Sequence, residues 1–160
     1  MIVIVEGVDG SGKSTLVQEL YNRGYAVQKV QLGQKINWKV LSKTCNDYNL
    51  TIIEDRSPIT DIVYRLYDKG EPDCKEGIED VVAMFENYGI RLIYCNNNTS
   101  YKDGRKRGET NITTSAAHNY IKHIYDVIIG ALERSYSSQI MHYDWHKDSV
   151  KDVIKFITRS

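Results

Sequence analysis

An α/β fold built on a mostly parallel sheet is predicted by three features of this 160-residue chain. Short, continuous, β-branched apolar runs recur along it, as expected of strands buried on both faces. Helical stripes, with apolar residues three and four apart, separate those runs. A glycine-rich turn joins the first run to the first stripe. Lys and Arg total 21 and balance 21 Asp and Glu, so the formal net charge is zero. That balance argues against a nucleic-acid partner, whose recognition rests on a basic surface, and against an acidic disordered tail. Hydrophobic residues make up 41% and charged residues 26%, as in a soluble globule. No apolar run approaches the ~20 residues of a membrane span, and the opening segment turns polar at Glu6, too soon for a signal peptide. The cysteines Cys45, Cys74 and Cys95 form no C-x-x-C pair and suit reduced thiols in a cytoplasm. Without repeats, low-complexity tracts or linkers, residues 1–160 are expected to form one domain.

The elements follow in order. Ile2-Val-Ile-Val5 predicts a buried strand, and Ser14 to Asn22 a helix with Leu16, Val17 and Leu20 on one face. Tyr25 to Gln31 reads as a second strand and Ile36 to Thr44 as a weak helix. Leu50-Thr-Ile-Ile53 predicts a third strand, with Glu54-Asp55-Arg56 at its carboxyl end. Ser57 and Pro58 supply an N-cap and a first helical residue, before a stripe of Ile59, Ile62, Val63 and Leu66. Ile78, Val81, Val82 and Phe85 mark one face of the next helix. Arg91 to Cys95 reads as a strand, and Asn96 to Asn111 as a polar, basic loop. Ile121, Ile124, Tyr125, Ile128, Ile129 and Leu132 give the cleanest helical stripe. Gln139 to Tyr143 reads as the last strand, and Val150, Val153, Ile154 and Ile157 stripe the closing helix. Right-handed crossovers then bring ligands to the carboxyl ends of the strands.

Gly7-Val8-Asp9-Gly10-Ser11-Gly12-Lys13-Ser14 matches the phosphate-loop pattern G-x-x-x-x-G-K-[ST] in full. Its glycines let successive backbone N–H groups turn inward around a phosphate. Lys13 then bridges the outer phosphates, the Ser14 hydroxyl faces Mg²⁺, and the following helix aims its positive end at the anion. The buried strand before and the helical stripe after supply the context that a ligand-free glycine turn would lack. Phosphoryl transfer also needs a carboxylate near the metal. Asp55 is the candidate, with Glu54 as fallback, and Arg56 emerges at the same rim to hold a phosphate bidentately. Tyr101 to Thr110 carries Arg105, Lys106 and Arg107 between glycines, within a basic lid over about residues 100–113. Such a segment closes over a transferring phosphoryl group, and the guanidinium fork favours Arg105 and Arg107. Trp38, Tyr64 and Tyr67 are candidates for stacking on an acceptor base. The four histidines (118, 123, 142, 146) show no metal spacing, and none is assigned to the chemistry.

Glu6 to Thr15 closely resembles the phosphate loop of the thymidylate kinase family, written E-G-x-D-G-x-G-K-S-T. Asp55-Arg56-Ser57 and Thr60 through Tyr64 are similar to that family's D-R-x-x-x-S-x-x-A-Y-Q stretch, with threonine for serine at 60 and Arg65 in place of the glutamine. The order of elements is similar over most of the chain, which is shorter than typical members and so looks like a compact, phage-type version. The resemblance implies a P-loop kinase sandwich of three layers with sheet order 2-3-1-4-5, helices on both faces, and transfer of the γ-phosphoryl of ATP to a deoxynucleoside monophosphate. It implies nucleotide contacts from Gly7, Asp9, Gly10, Ser11, Gly12, Lys13, Ser14 and Thr15, and metal contacts from Ser14 and Asp55. Asp9, Arg56, Trp38, Tyr64 and Arg65 would meet the acceptor, with Asp9 near its sugar hydroxyl and Arg56 on its phosphate. The loop between Tyr143 and Asp148 would lie against adenine. A cytoplasmic setting, that of the host for a phage protein, fits this picture, and a homodimer stays open.

Two other functions compete. A deoxynucleoside kinase carries a related Glu-Arg-Ser after the corresponding strand, but it needs a carboxylate base near a sugar hydroxyl, and none follows the second strand. A nucleotide-dependent switch without kinase activity is the second alternative; the guanine-reading N-K-x-D signature is absent, Asn96-Asn-Asn-Thr99 being no such match.

Overall fold

The computed structural model describes residues 1–69, 75–97, 100–108 and 114–159, so Pro72, Cys74 and the far end of the basic segment lie outside the described residues. The strands are β1 (Ile2–Glu6), β2 (Ala26–Lys29), β3 (Ile52–Asp55), β4 (Arg91–Cys95) and β5 (Ile140–Tyr143). The helices are α1 (Lys13–Asn22), α2 (Trp38–Asp47), α3 (Pro58–Lys69), α4 (Lys75–Tyr88), α5 (Ser100–Arg107), α6 (Ser115–Tyr136) and α7 (Val150–Thr158).

All five strands run parallel in the order β2-β3-β1-β4-β5. Every residue of β1 is buried, because the central strand of a parallel sheet is covered on both faces. On one face Val3, Val5, Ile53 and Ile93 pack against α1 and α7 through Leu16, Leu20, Val153 and Ile157. On the other, Ile2, Ile4 and Leu92 pack against α2, α3, α4 and α6 through Cys45, Ile59, Val63, Met84, Ile121 and Tyr125. The alternation along β1 divides the two cores.

Several elements depart from the sequence pattern, each through a tertiary contact. β3 begins at Ile52, which pairs with Ile2, so Glu54 and Asp55 lie inside the strand and do not follow it. Leu50 belongs to the preceding turn, where its N–H reaches the carbonyl of Cys45 at 2.8 Å. On α4 the buried face runs through Val81, Met84 and Phe85 while Ile78 is exposed. The stripe is rotated because α4 approaches α3 at Gly77, where a Cβ would stand 3.2 Å from Ile62 Cγ1. Residues 100–107, expected as loop, form α5. Its sequence has no apolar stripe, so a contact described below holds it in place.

Glu54 is wholly buried on β3 and neither carboxylate oxygen has a hydrogen-bond partner. Burial pushes its pKa up to about 7. A carboxyl group whose pKa is raised in the folded state binds protons more tightly there. Its contribution is therefore complete below pH 4.5 and is lost as pH rises through about 7. The loss amounts to about 3 kcal/mol at higher pH. Urea midpoints measured from about pH 5 to 8 should fall for the natural chain and fall distinctly less for Glu54→Gln. An identical slope in the variant would assign the pH dependence elsewhere.

Candidate active site

The phosphate loop leaves β1 at Glu6 and enters α1 at Lys13. Its backbone requires glycine at both ends. At Gly7 a Cβ would meet the Cys95 carbonyl oxygen and Ser11 Oγ at 2.6 Å each, with φ at +151°. At Gly12, φ is +89° and a Cβ would lie 2.7 Å from Cδ1 of Trp145. The turn between them is closed by Ser11 N–H donating to the Val8 carbonyl at 3.1 Å. Ser14 and Thr15 are exposed in the first turn of α1, where unpaired N–H groups concentrate positive potential.

Lys13 is buried, and its ammonium forms an ion pair with Asp55 Oδ1. The pair exists because β1 and β3 are neighbours: Asp55 stands opposite Val5 in register. The next residue, Arg56, has φ +83°, a left-handed conformation rarely adopted by a side chain of this size. Its N–H donates to the Val5 carbonyl at 3.1 Å. Its guanidinium Nη2 lies 3.6 Å from Asp9 Oδ1. Burial alone would lower the pKa of Arg56; the facing Tyr125, Glu6, Tyr64 and Asp9 groups more than offset it, and the guanidinium stays charged. Burial and the Asp9 charge together raise the pKa of the Tyr64 hydroxyl.

Two cavities flank the loop. One, of about 570 Å³, is lined by Asp9, Arg56, Thr60, Tyr64, Tyr67 and Ile121, with Lys29 and Gln31 among its other walls. The other, of about 380 Å³, is lined by Gly12, Thr15, Glu19, Tyr143, Trp145 and Asp148. The loop thus separates two sites, each large enough for part of a nucleotide.

Glu6 anchors this arrangement and was not singled out from the sequence. It is fully buried; Oε1 accepts from Ser57 Oγ at 2.6 Å, and Oε2 accepts from Thr60 Oγ1 at 2.7 Å and Tyr125 OH at 3.3 Å. Burial raises its pKa, while the Ser57 and Thr60 hydroxyls and the Arg56 and Lys13 charges draw it partly back. An acid closing a fully apolar strand was the available signal, since buried carboxylates occur where they are partnered.

Helix α5 lies directly over the phosphate loop. A Cβ on Gly104 would stand 3.2 Å from Gly10 Cα and 3.3 Å from its N. Asp103 Oδ2 is 3.4 Å from His146 Nε2 in the loop after β5, and Tyr101 meets the His118 ring edge-on at 5.4 Å. Arg105 and Lys106 are exposed; the Arg107 side chain lies outside the described residues.

The structure therefore brings Lys13, Ser14, Asp55, Arg56, Asp9 and Tyr64 to one rim. Trp38, at the start of α2, does not join them, since it is not among the residues that line the larger cavity. Arg65 lines an adjoining cavity with Leu32, Gly33, Asp61 and Tyr64, and Tyr64 lines both that cavity and the larger one. Glu54 points to the core, so Asp55 is the acid on the phosphate side. Among the described residues no group of three or more His, Cys, Asp or Glu side chains is placed to hold a metal, and no helix is long and apolar enough to cross a membrane.

Replacing Glu6 by Leu would strand the Ser57, Thr60 and Tyr125 hydroxyls. The expected loss is about 3 kcal/mol in chemical denaturation, with a smaller loss for Glu6→Gln. A Glu6→Leu variant as stable as the natural chain would remove this network from the fold's support.

Neither a family model nor a curated protein sequence matches the chain. Solved structures do. The YorR protein of Bacillus subtilis, in complex with phosphorylated GDP, is 20% identical at a TM-score of 0.65, over 98% of this chain and 95% of that one. Deoxyadenosine kinase from M. mycoides with bound dCTP is 18% identical at 0.63, over 98% of each chain. Thymidylate kinase from Ehrlichia chaffeensis is 13% identical at 0.60, over 99% of this chain and 98% of that one. What the chain shares with them, across nearly its whole length, is the fold of the P-loop nucleoside and nucleotide kinases.

Proposed function

We propose that the protein is an ATP-dependent kinase that phosphorylates a deoxynucleoside monophosphate. The observation that carries this reading is the Arg56 guanidinium, held by a left-handed backbone in a cavity immediately beside the phosphate loop. In this reading the triphosphate lies along Gly7–Thr15, and its base enters the cavity walled by Trp145 and Tyr143. The acceptor occupies the larger cavity: Arg56 holds its phosphate, Asp9 its sugar, and Tyr64 and Tyr67 offer faces to its base. Lys13 exchanges Asp55 for the outer phosphates and brings the donor into line.

A Mg²⁺ ion fits the residues present, because Ser14 supplies an exposed hydroxyl and Asp55 a carboxylate, hard oxygen donors of the kind it takes together with phosphate oxygens. When bound, it would neutralise charge on the phosphates. Arg105 and Arg107, on the helix over the loop, supply the mobile cations of this reading.

A second reading, a deoxynucleoside kinase, is favoured by one observation. The Asp9 carboxylate lines the acceptor cavity against Arg56, and it supplies the base for a sugar hydroxyl that the sequence after β2 lacks. The deoxyadenosine kinase among the similar structures supports it. An acceptor panel of nucleosides and monophosphates, read by ADP release, separates the two; turnover of nucleosides alone would overturn the monophosphate reading. Asp9→Asn sharpens the contrast: a lost base lowers kcat by roughly 10²-fold or more, whereas a lost sugar contact chiefly raises the acceptor KM.

Lys13→Met is expected to lower turnover by roughly 10²-fold or more. Near-natural turnover in that variant would refute the phosphate-loop assignment. Losing Arg105 or Arg107 should lower kcat more than affinity, and an unchanged kcat in both variants would remove the lid's catalytic part.

A further inference from the structure

His118 is wholly buried in the first turn of α6, between the phosphate loop and α5. Its Nε2 lies 2.9 Å from the Asp9 carbonyl oxygen. A carbonyl only accepts, so this ring nitrogen carries the proton and donates. Nδ1 is buried with no partner, so this one bond is the ring's whole polar engagement among the described residues. A buried imidazole with one nitrogen unpaired carries a desolvation cost that an apolar residue would avoid.

The bond acts on a particular peptide unit. The Asp9 carbonyl and the Gly10 N–H belong to one planar trans peptide and point in opposite directions. A Cβ on Gly104 of α5 would stand 3.2 Å from Gly10 Cα, 3.3 Å from Gly10 N and 3.5 Å from Asp9 C. Distances that nearly equal to three successive atoms place α5 over the face of the peptide, not at its N–H edge. His118 thus holds the plane by its oxygen edge, and α5 covers its face. The Gly10 N–H is left directed to the remaining edge. Gly10 has φ +79°, so without a side chain the unit would turn readily if it were not held.

We propose that His118 is a positioning residue of the phosphate site, which fixes the Asp9–Gly10 peptide so that the Gly10 N–H is presented to the phosphates of the bound nucleotide. The role rests on the nucleotide-binding reading and adds to it a residue from outside the loop's own motif. It also explains why a histidine occupies a position on the core stripe of α6, three residues before Ile121. The contact with Tyr101 ties the same ring to α5, so the helix over the loop and the loop's peptide share one support.

The test compares His118→Gln with His118→Met, side chains of similar length that differ in the presence of an N–H donor. ATP affinity is measured by calorimetry on each folded chain, and the Gly10 amide is followed by ¹H–¹⁵N correlation spectra during the titration. The expected result is a tenfold or greater loss of ATP affinity in His118→Met, accompanied by loss of the ATP-induced shift of the Gly10 amide. His118→Gln should stay within about threefold of the natural chain, at about the precision with which single contacts transfer between side chains. Equal affinities in the two variants would overturn the role, as would failure of both to fold, since ring packing and not the N–H would then be what the site needs. Absence of ATP binding by the natural chain would overturn the functional reading itself, and the role with it. That outcome is distinct from binding that ignores His118.

Discussion

A charge taken out of water at the end of the central strand is the constraint on which the rest of the site depends. Glu6 closes β1 in a wholly buried position, where a carboxylate is tolerated only with its oxygens bonded. Its partners come from the start of α3 and the middle of α6. Satisfying that one group therefore fixes two helices against the sheet at the point where the phosphate loop departs. Ser57 is used twice, since its hydroxyl donates to Glu6 and accepts from the Ile59 N–H at 3.1 Å. The start of α3 is thus set by the same atom that supports the loop.

From that corner the sheet order does the remaining placement. β3 lies beside β1, so Asp55 reaches Lys13 and the following Arg56 is delivered to the other side of the loop. β4 lies on the opposite side, and its Cys95 carbonyl forms the wall that excludes a side chain at Gly7. β5 carries the chain on to Trp145, which covers Gly12. Each glycine is demanded by a neighbour that arrives from a distant part of the sequence. Local turn chemistry alone would ask for a positive φ; the close approach of Cys95 and Trp145 removes any choice.

The ionisable groups divide by environment. Lys13 and Asp55 offset each other, and Arg56 sits among acids and phenols that keep it charged. Glu54 has no such company and is pushed toward its neutral form. Two adjacent acids on one strand are separated in this way by the alternation of side chains between the two faces. Asp55 faces the phosphate side, and its neighbour faces the apolar core.

The amino-acid sequence determined the α/β class, the strand and helix order, the phosphate loop and the acid-arginine pair at the end of β3. It could do so because those features rest on periodicity and on spacing along the chain, which need no partner to be recognised. Tertiary structure alone decided which of Glu54 and Asp55 faces the phosphate side, since that follows from the pairing of Asp55 with Val5, beside Lys13. It also decided that residues 100–107 are helical, because Gly104 rests on Gly10 where no apolar stripe marks the helix. Trp38 carried the right chemistry for a pocket but does not line the cavity that Tyr64 and Tyr67 line, and Arg65 lines an adjoining cavity that meets it at Tyr64. Glu6 and His118 owe their parts to groups more than fifty residues away. Contacts of that separation are settled by packing, and a pattern read along one segment does not contain them.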